Sequence, residues 1–272
     1  MRTAGLALAL WLAATGAWAH LGTPWRPTGD VLRAARYLVL ARVTGKPTRA
    51  GLGIEQPVER VADLAAPTAA TLVIYQEGPH RHDLAVGSLV VLPLEQSPAG
   101  GWRYPAETRE PLELRPGQQR PVAAFIQGWR AGPGAGVDQA IALLAHPAAI
   151  ARRVGAEVLL APEAASQATP DRLDRLLDPL LDPAESLDER LQRLRLAEVF
   201  GGQAGANAVA ARFERLVGDR LRLAAAGVAA RSPGPAQRRL LATCAQESGA
   251  VGARCARLLA GLPAAPPPAP AP

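Results

Sequence analysis

The chain has 272 residues, enough for two modest domains or one larger one, with 49% hydrophobic residues and a formal charge of +6. A pI near 10.3 would suit an anionic partner, but Lys46 is the only lysine, Asn207 the only asparagine, and the arginines alternate with carboxylates, as in Asp171-Arg172-Leu173-Asp174-Arg175 and Asp188-Glu189-Arg190. That pattern reads as arginine codons of a GC-rich genome on a mixed-charge surface; the single-sign stripe with aromatics that a nucleic-acid face needs is missing.

Residues 1–19 read as a signal peptide. Arg2 supplies the charged start, Ala4 to Ala14 the apolar run, and Ala17-Trp18-Ala19 a small-x-small cleavage site before His20. No later stretch reaches the ~18 apolar residues of a transmembrane helix, and no lipobox cysteine lies near the cleavage site. The expected mature product is exported, to the periplasm or beyond, with no membrane span. Residues 20–29, punctuated by Pro24 and Pro27, read as an extended leader.

From Asp30 a short helical turn runs into a strand over Tyr37 to Val43. A Gly/Pro loop follows, then a partly alternating strand from Ile54 to Val61, which Pro57 marks as edge-like. Thr71 to Glu77 and Ser88 to Glu95 are strand-length apolar runs, read as a β-hairpin whose long tip carries His80 and His82. Trp102 to Pro105, Leu112 to Leu114 and Pro121 to Gln127 supply further short strands. Residues 128–136, GWRAGPGAG, read as a glycine-rich linker; a phosphate loop is disfavoured because no Lys-Ser or Lys-Thr follows and the GxGxxG spacing is wrong.

Beyond Val137 the apolar period becomes helical. Ile141 and Leu144 precede a break at His146-Pro147, Ile150, Val154 and Val158 line a second helix, and Leu173, Leu176, Leu177 and Leu180 a third. Leu187 to Val199 forms a helix expected to end at Gly201-Gly202, and Val209 to Val228 the longest one. Pro235 to Gln246 and Ala250 to Leu259 form a helical hairpin carrying the only cysteines, Cys244 and Cys255. In an oxidising compartment an even pair favours a disulfide, stabilising by roughly 3 kcal/mol for so short a loop. Residues 262–272 are a Pro/Ala tail prone to disorder and polyproline conformation.

These elements give a two-domain fold class: a small all-β barrel over 30–127 and an all-α region over 137–261. The strand order of the first part, with a long Gly/Pro loop and a glycine-introduced VVLPLE strand, resembles the OB-like barrels of secreted proteins. That resemblance implies a groove for oligonucleotides, oligosaccharides or protein segments. The second part resembles HEAT or armadillo-like helical repeats, with an irregular helical bundle as the alternative.

No GxSxG, HExxH, P-loop or paired CxxC appears, so no catalytic residue and no bound cofactor is assigned. An enzyme whose site assembles only in three dimensions stays open, and the carboxylates Glu77 and Glu95 are placed at facing ends of the hairpin. One metal reading is specific. Cleavage after Ala19 would give His20 a free amine beside its imidazole, which resembles the histidine brace of lytic polysaccharide monooxygenases and CopC-like copper carriers, with His80 and His82 completing a Cu(II) site. The bland reading is a polar loop tip and a ragged terminus. The leading expectation is an exported, non-enzymatic binding or scaffolding protein of the cell envelope, partnered by a periplasmic protein or envelope component and by no nucleic acid, with copper binding as the alternative.

Overall fold

A computed structural model of the chain describes residues 26–77, 83–98, 100–105, 108, 111–132 and 135–263. The chain divides into two compact units, one running to Gly134 and including Pro147–Ala151, the other made of Ala135–His146 and the chain from Arg152 onward.

The first unit opens with helix α1 (Thr28–Ala34), followed by β1 (Tyr37–Val43), β2 (Thr48–Ala50), β3 (Gly53–Asp63), β4 (Thr71–Glu77), β5 (Leu89–Gln96), β6 (Trp102–Arg103), β7 (Leu112–Leu114) and α2 (Gln119–Ala131). Five strands form a closed ring in the order β1-β3-β4-β6-β5, shut by the β5 to β1 pairing; β2 and β7 hang on β3 and β5. Counting ring strands alone, the circuit is 1-2-3-5-4-1 with one parallel step, β4 to β6, the connectivity of an OB-like barrel. The barrel is filled by Val39, Ala41, Val43, Val58, Leu72, Ile74, Val90, Leu92 and Leu94, the inward set of period-2 strands.

On β1 and β5 the opposite set, Leu38, Leu40, Leu89 and Val91, is buried as well, so this side of the ring does not meet water. In the same unit, α1 buries Val31 and Leu32 and α2 buries Val122, Phe125, Ile126 and Trp129. Trp129 Nε1 donates to the Gly29 carbonyl at 2.7 Å, and Arg130 donates to the Leu32 and Ala35 carbonyls at the end of α1. Two of the C-terminal carbonyls that α1 leaves unpaired thereby find a cation.

The structure departs from three expectations. Residues 121–127 are helical, not a strand: Val122, Phe125, Ile126 and Trp129 repeat at i, i+3, i+4 and i+7, a period that a window closing at Gln127 conceals. The barrel unit accordingly runs past 127, and Gly128 lies inside α2. Second, β4 and β5 are not a hairpin, because β6 lies between them, pairing Ile74↔Trp102 on one side and Gln96↔Trp102 on the other. Third, β3 is a ring strand, not an edge. It pairs with β4 from Gly53 to Glu59 and with β1 from Val58 onward. Pro57 is tolerated because its carbonyl, which accepts from Thr44 N–H at 3.0 Å, faces the loop between β1 and β2, where its missing donor leaves no ladder bond unmade.

The second unit holds α3 (Val137–Leu143), α4 (Ala149–Leu160, whose first turn belongs to the barrel unit), α5 (Pro170–Leu177), α6 (Leu187–Arg212), α7 (Asp219–Arg231), α8 (Pro235–Cys244) and α9 (Gly249–Ala260). From α5 onward each helix packs on its successor, and α6 also meets α8 and α7 meets α9, the neighbour pattern of stacked helical pairs. One continuous core runs through them, from Leu159 and Leu176 through Phe200 and Val209 to Leu241 and Val251. The expected helix end at Gly201-Gly202 is instead a kink inside α6, with Gly202 at φ 49°. The expected long helix over 209–228 breaks at Phe213–Gly218, where Gly218 has φ 97° and Val217 is exposed. Cys244 and Cys255 form the expected disulfide, with Cα atoms 5.8 Å apart and both side chains fully buried. No helix among the described residues is long and apolar enough to cross a membrane.

Candidate functional site

On the OB-like ring the outer faces of β3 and β4 reach water. These are the second and third ring strands, the ones on which such barrels carry ligands. Alternation fixes which residues point outward. On β3 they are Glu55, Pro57, Glu59 and Val61, with Ile54, Gln56 and Val58 turned in; on β4 they are Thr71, Val73, Tyr75 and Glu77, with Leu72, Ile74 and Gln76 turned in.

The register sets these side chains in rows. Gly53 faces Glu77, Glu55 faces Tyr75, Pro57 faces Val73, and Glu59 faces Thr71. Val61 is the extra residue of a β-bulge, since Ala41 pairs with Arg60 and Leu40 with Ala62; bulges re-aim side chains at barrel rims and sites. Tyr75 lies over the Gly53 backbone, its Cε2 and Cζ within 2.8 Å of where a Cβ at Gly53 would stand. A side chain at 53 would collide with this ring and, more closely, with the Gln76 carbonyl oxygen, 2.2 Å from the same point.

Two features distinguish this face. Of the seven large hydrophobics exposed among the described residues, three border or lie on it: Leu52 (81% exposed), Val73 (49%) and Val61 (48%). The carboxylates Glu55, Glu59 and Glu77 are exposed and form no ion pair among the described residues. Arg103, in register with Tyr75, is held by Glu95 at 2.8 Å, and Arg42, in register with Glu59, donates to the Gly87 carbonyl at 3.3 Å. The face is therefore apolar along its middle and acidic at its edges, in a chain that is basic as a whole.

Beside the face, a buried amide fixes the adjoining loops. Gln56 is fully buried; its Nε2 donates to the Leu84 carbonyl at 2.7 Å and the Gly45 carbonyl at 3.2 Å, and its Oε1 accepts from Leu84 N–H at 3.3 Å. One side chain thus ties the loop after β1 and the segment before β5 to β3.

Two concave sites also occur. A cleft of about 440 Å³ at the end of the barrel is lined by Val31, Arg36, Tyr37, Leu94, Gln96 and Thr108 among others; Arg36 stacks on Tyr37 and Tyr37 meets Trp102 edge-on at 4.9 Å. In the helical unit a groove of about 450 Å³ between α6 and α8 has Phe213, Leu240 and Cys244 as its floor and Arg215 and Arg239 on its rim.

The ligands expected for copper, His20, His80 and His82, lie outside the described residues. Among the described residues no group of three His, Cys, Asp or Glu is placed to hold a metal. Glu77 and Glu95 sit on strands separated by β6, and Glu95 is committed to Arg103, so they form no acid–base pair. The β3–β4 face is hard to see in the sequence because the apolar Ile54, Val58 and Val61 are the positions that mark a strand's core side. The signal that would have found it is the complementary set, Glu55-x-Pro57-x-Glu59-x-Val61. Searches against protein-family models, curated proteins and solved structures return no match for the chain.

Proposed function

We propose that this is an exported, non-enzymatic binding or scaffolding protein of the cell envelope, which docks a partner on the outer face of β3 and β4. The observation that supports it most directly is that exposed Val61 and Val73 join Tyr75 and Pro57 on one side of the OB-like ring, with exposed Leu52 in the turn that leads into β3. An apolar strip rimmed by polar residues is the usual mark of an interaction site. The signal-like first nineteen residues and the buried disulfide support export. The mature protein serves as bait on envelope extracts, beside a Val61→Asp, Val73→Asp form. The expected result is a partner held by the first and lost, by at least tenfold, with the second; recovery of no partner, or of the same partner by both, overturns the reading.

The alternative is a copper protein. Its support is the coincidence of a His at the expected first mature position with a His-x-His run. A stoichiometric, nitrogen-rich Cu(II) paramagnetic resonance signal, lost on N-terminal extension and in His80→Ala, His82→Ala, would favour it; weak non-stoichiometric binding would remove it.

A further inference from the structure

Resting on that reading, we infer that the β3–β4 face recognises an extended, basic protein segment with the alternation basic–x–apolar–x–basic. Strand register selects that pattern. Glu55 and Glu59 are four residues apart on one strand with Pro57 between them, and Pro57 is paired across to Val73. At about 3.3 Å per residue the carboxylates stand roughly 13 Å apart, with the apolar pair midway. An extended segment laid along β3 has the same period. Its residues i and i+4 fall beside Glu55 and Glu59, and residue i+2 falls on Pro57 and Val73.

The first subsite is the more developed. Tyr75 is directly opposite Glu55, two residues from Glu77 on its own strand, and its ring stands over Gly53. A guanidinium or ammonium placed there meets an aromatic face with a carboxylate on either side, a combination that favours a cation over a neutral side chain. Of the described cations in register with this face, Arg103 is paired with Glu95 and Arg42 is directed to the Gly87 carbonyl, so neither fills it. Anionic ligands are disfavoured by the same three carboxylates, which separates this face from the phosphate-binding use of OB-like barrels. Barrel closure also matters: β3 is paired along both sides over most of its length, so the segment is held by side chains and not by adding a strand to an open edge.

The test uses full-length mature protein and a dye-labelled peptide GRTVTRG, followed by anisotropy, with GETVTEG as the charge-reversed control. Glu55→Gln, Glu59→Gln removes charge without changing shape at two exposed positions, and a thermal melt confirms that the variant folds. The expected result is binding of the basic peptide, at least tenfold weaker for the acidic control and for the double variant, and at least fivefold weaker between 50 and 500 mM NaCl. Equal binding of both peptides, or no loss in the variant, overturns the inference. A bait partner captured through Val61 and Val73 yet indifferent to Glu55→Gln, Glu59→Gln would leave the docking reading standing and sink only the basic-segment inference.

Discussion

A buried amide such as Gln56 has one tolerable arrangement, with both ends bonded, and its three bonds to Gly45 and Leu84 meet that demand. Gln56→Leu keeps the volume but leaves the Leu84 N–H and two carbonyls without partners inside the barrel. The expected loss is about 2–3 kcal/mol, read from the urea midpoint. Arg193 obeys the same rule with a charge: it is 3% exposed, bonded to Glu185 at 2.6 Å and to the Leu176 carbonyl. Removing its partner in Glu185→Gln strands a cation in the core, with an expected cost of about 3 kcal/mol. His146 supplies a pH signature. Burial first, and then the Arg152 charge, hold its imidazole below the usual value. The unfolded chain therefore takes up this proton before the folded one does, so stability present at pH 7 declines as pH falls through about 6.5 toward the folded value. The difference in melting temperature between wild type and His146→Gln should change with pH over that range and level off above it. No change across the range would mean that His146 titrates alike in both states.

Within the elements, residue chemistry sets where helices begin and how they turn. Ser186 and Glu189 cap α6 reciprocally, Ser186 Oγ accepting from Glu189 N–H and the Glu189 carboxylate accepting from Ser186 N–H; Ser186→Ala should cost about 1 kcal/mol. Farther along, Gly202 adopts a conformation that only glycine takes readily, and the chain turns so sharply that a Cβ on Gly205 would stand 1.8 Å from the Ala197 carbonyl oxygen. Gly205→Ala must then push backbone against backbone and should cost more than about 3 kcal/mol, whereas an alanine at Gly128, where no atom is close, should be tolerated. The same passage shows what was legible in the sequence. Pairs of glycines announced a discontinuity at 201–202, but whether a helix stops or kinks there depends on tertiary packing that glycine merely permits. The cysteine-bearing hairpin was readable almost to the residue because Pro235, Gly249 and two periodic runs agree with one another. The hairpin assumed for β4 and β5 was not, since period and length identify strands but do not say which strand lies beside which; a two-residue strand, β6, decides that pairing.

At the level of the whole molecule, a net charge of +6 and a pI near 10.3 would by themselves suggest binding to nucleic acid. The distribution of the charge argues otherwise. In the helical unit seven arginines, Arg152, Arg172, Arg175, Arg193, Arg212, Arg222 and Arg231, are each paired with a carboxylate. Asp138, gripped by Arg172 and Arg175, is held below the ordinary carboxylate range chiefly by its Arg172 hydrogen bonds, so the pairing persists well below neutral pH. On the barrel, the face that an OB-like protein offers to a ligand carries Glu55, Glu59 and Glu77, which form no ion pair among the described residues. A phosphate backbone would have to displace carboxylates from the first group and would be repelled by the second. Non-specific binders, by comparison, hold DNA at roughly 10⁻⁴ to 10⁻⁶ M at physiological salt, losing affinity steeply as salt rises. A fluorescent duplex titrated with the protein at 150 mM NaCl should therefore show binding no tighter than about 10⁻⁴ M. Binding below about 10⁻⁵ M that weakens with several counterions released would mean that the unpaired arginines line up into a phosphate track, and would move the functional surface from the barrel face to the helices.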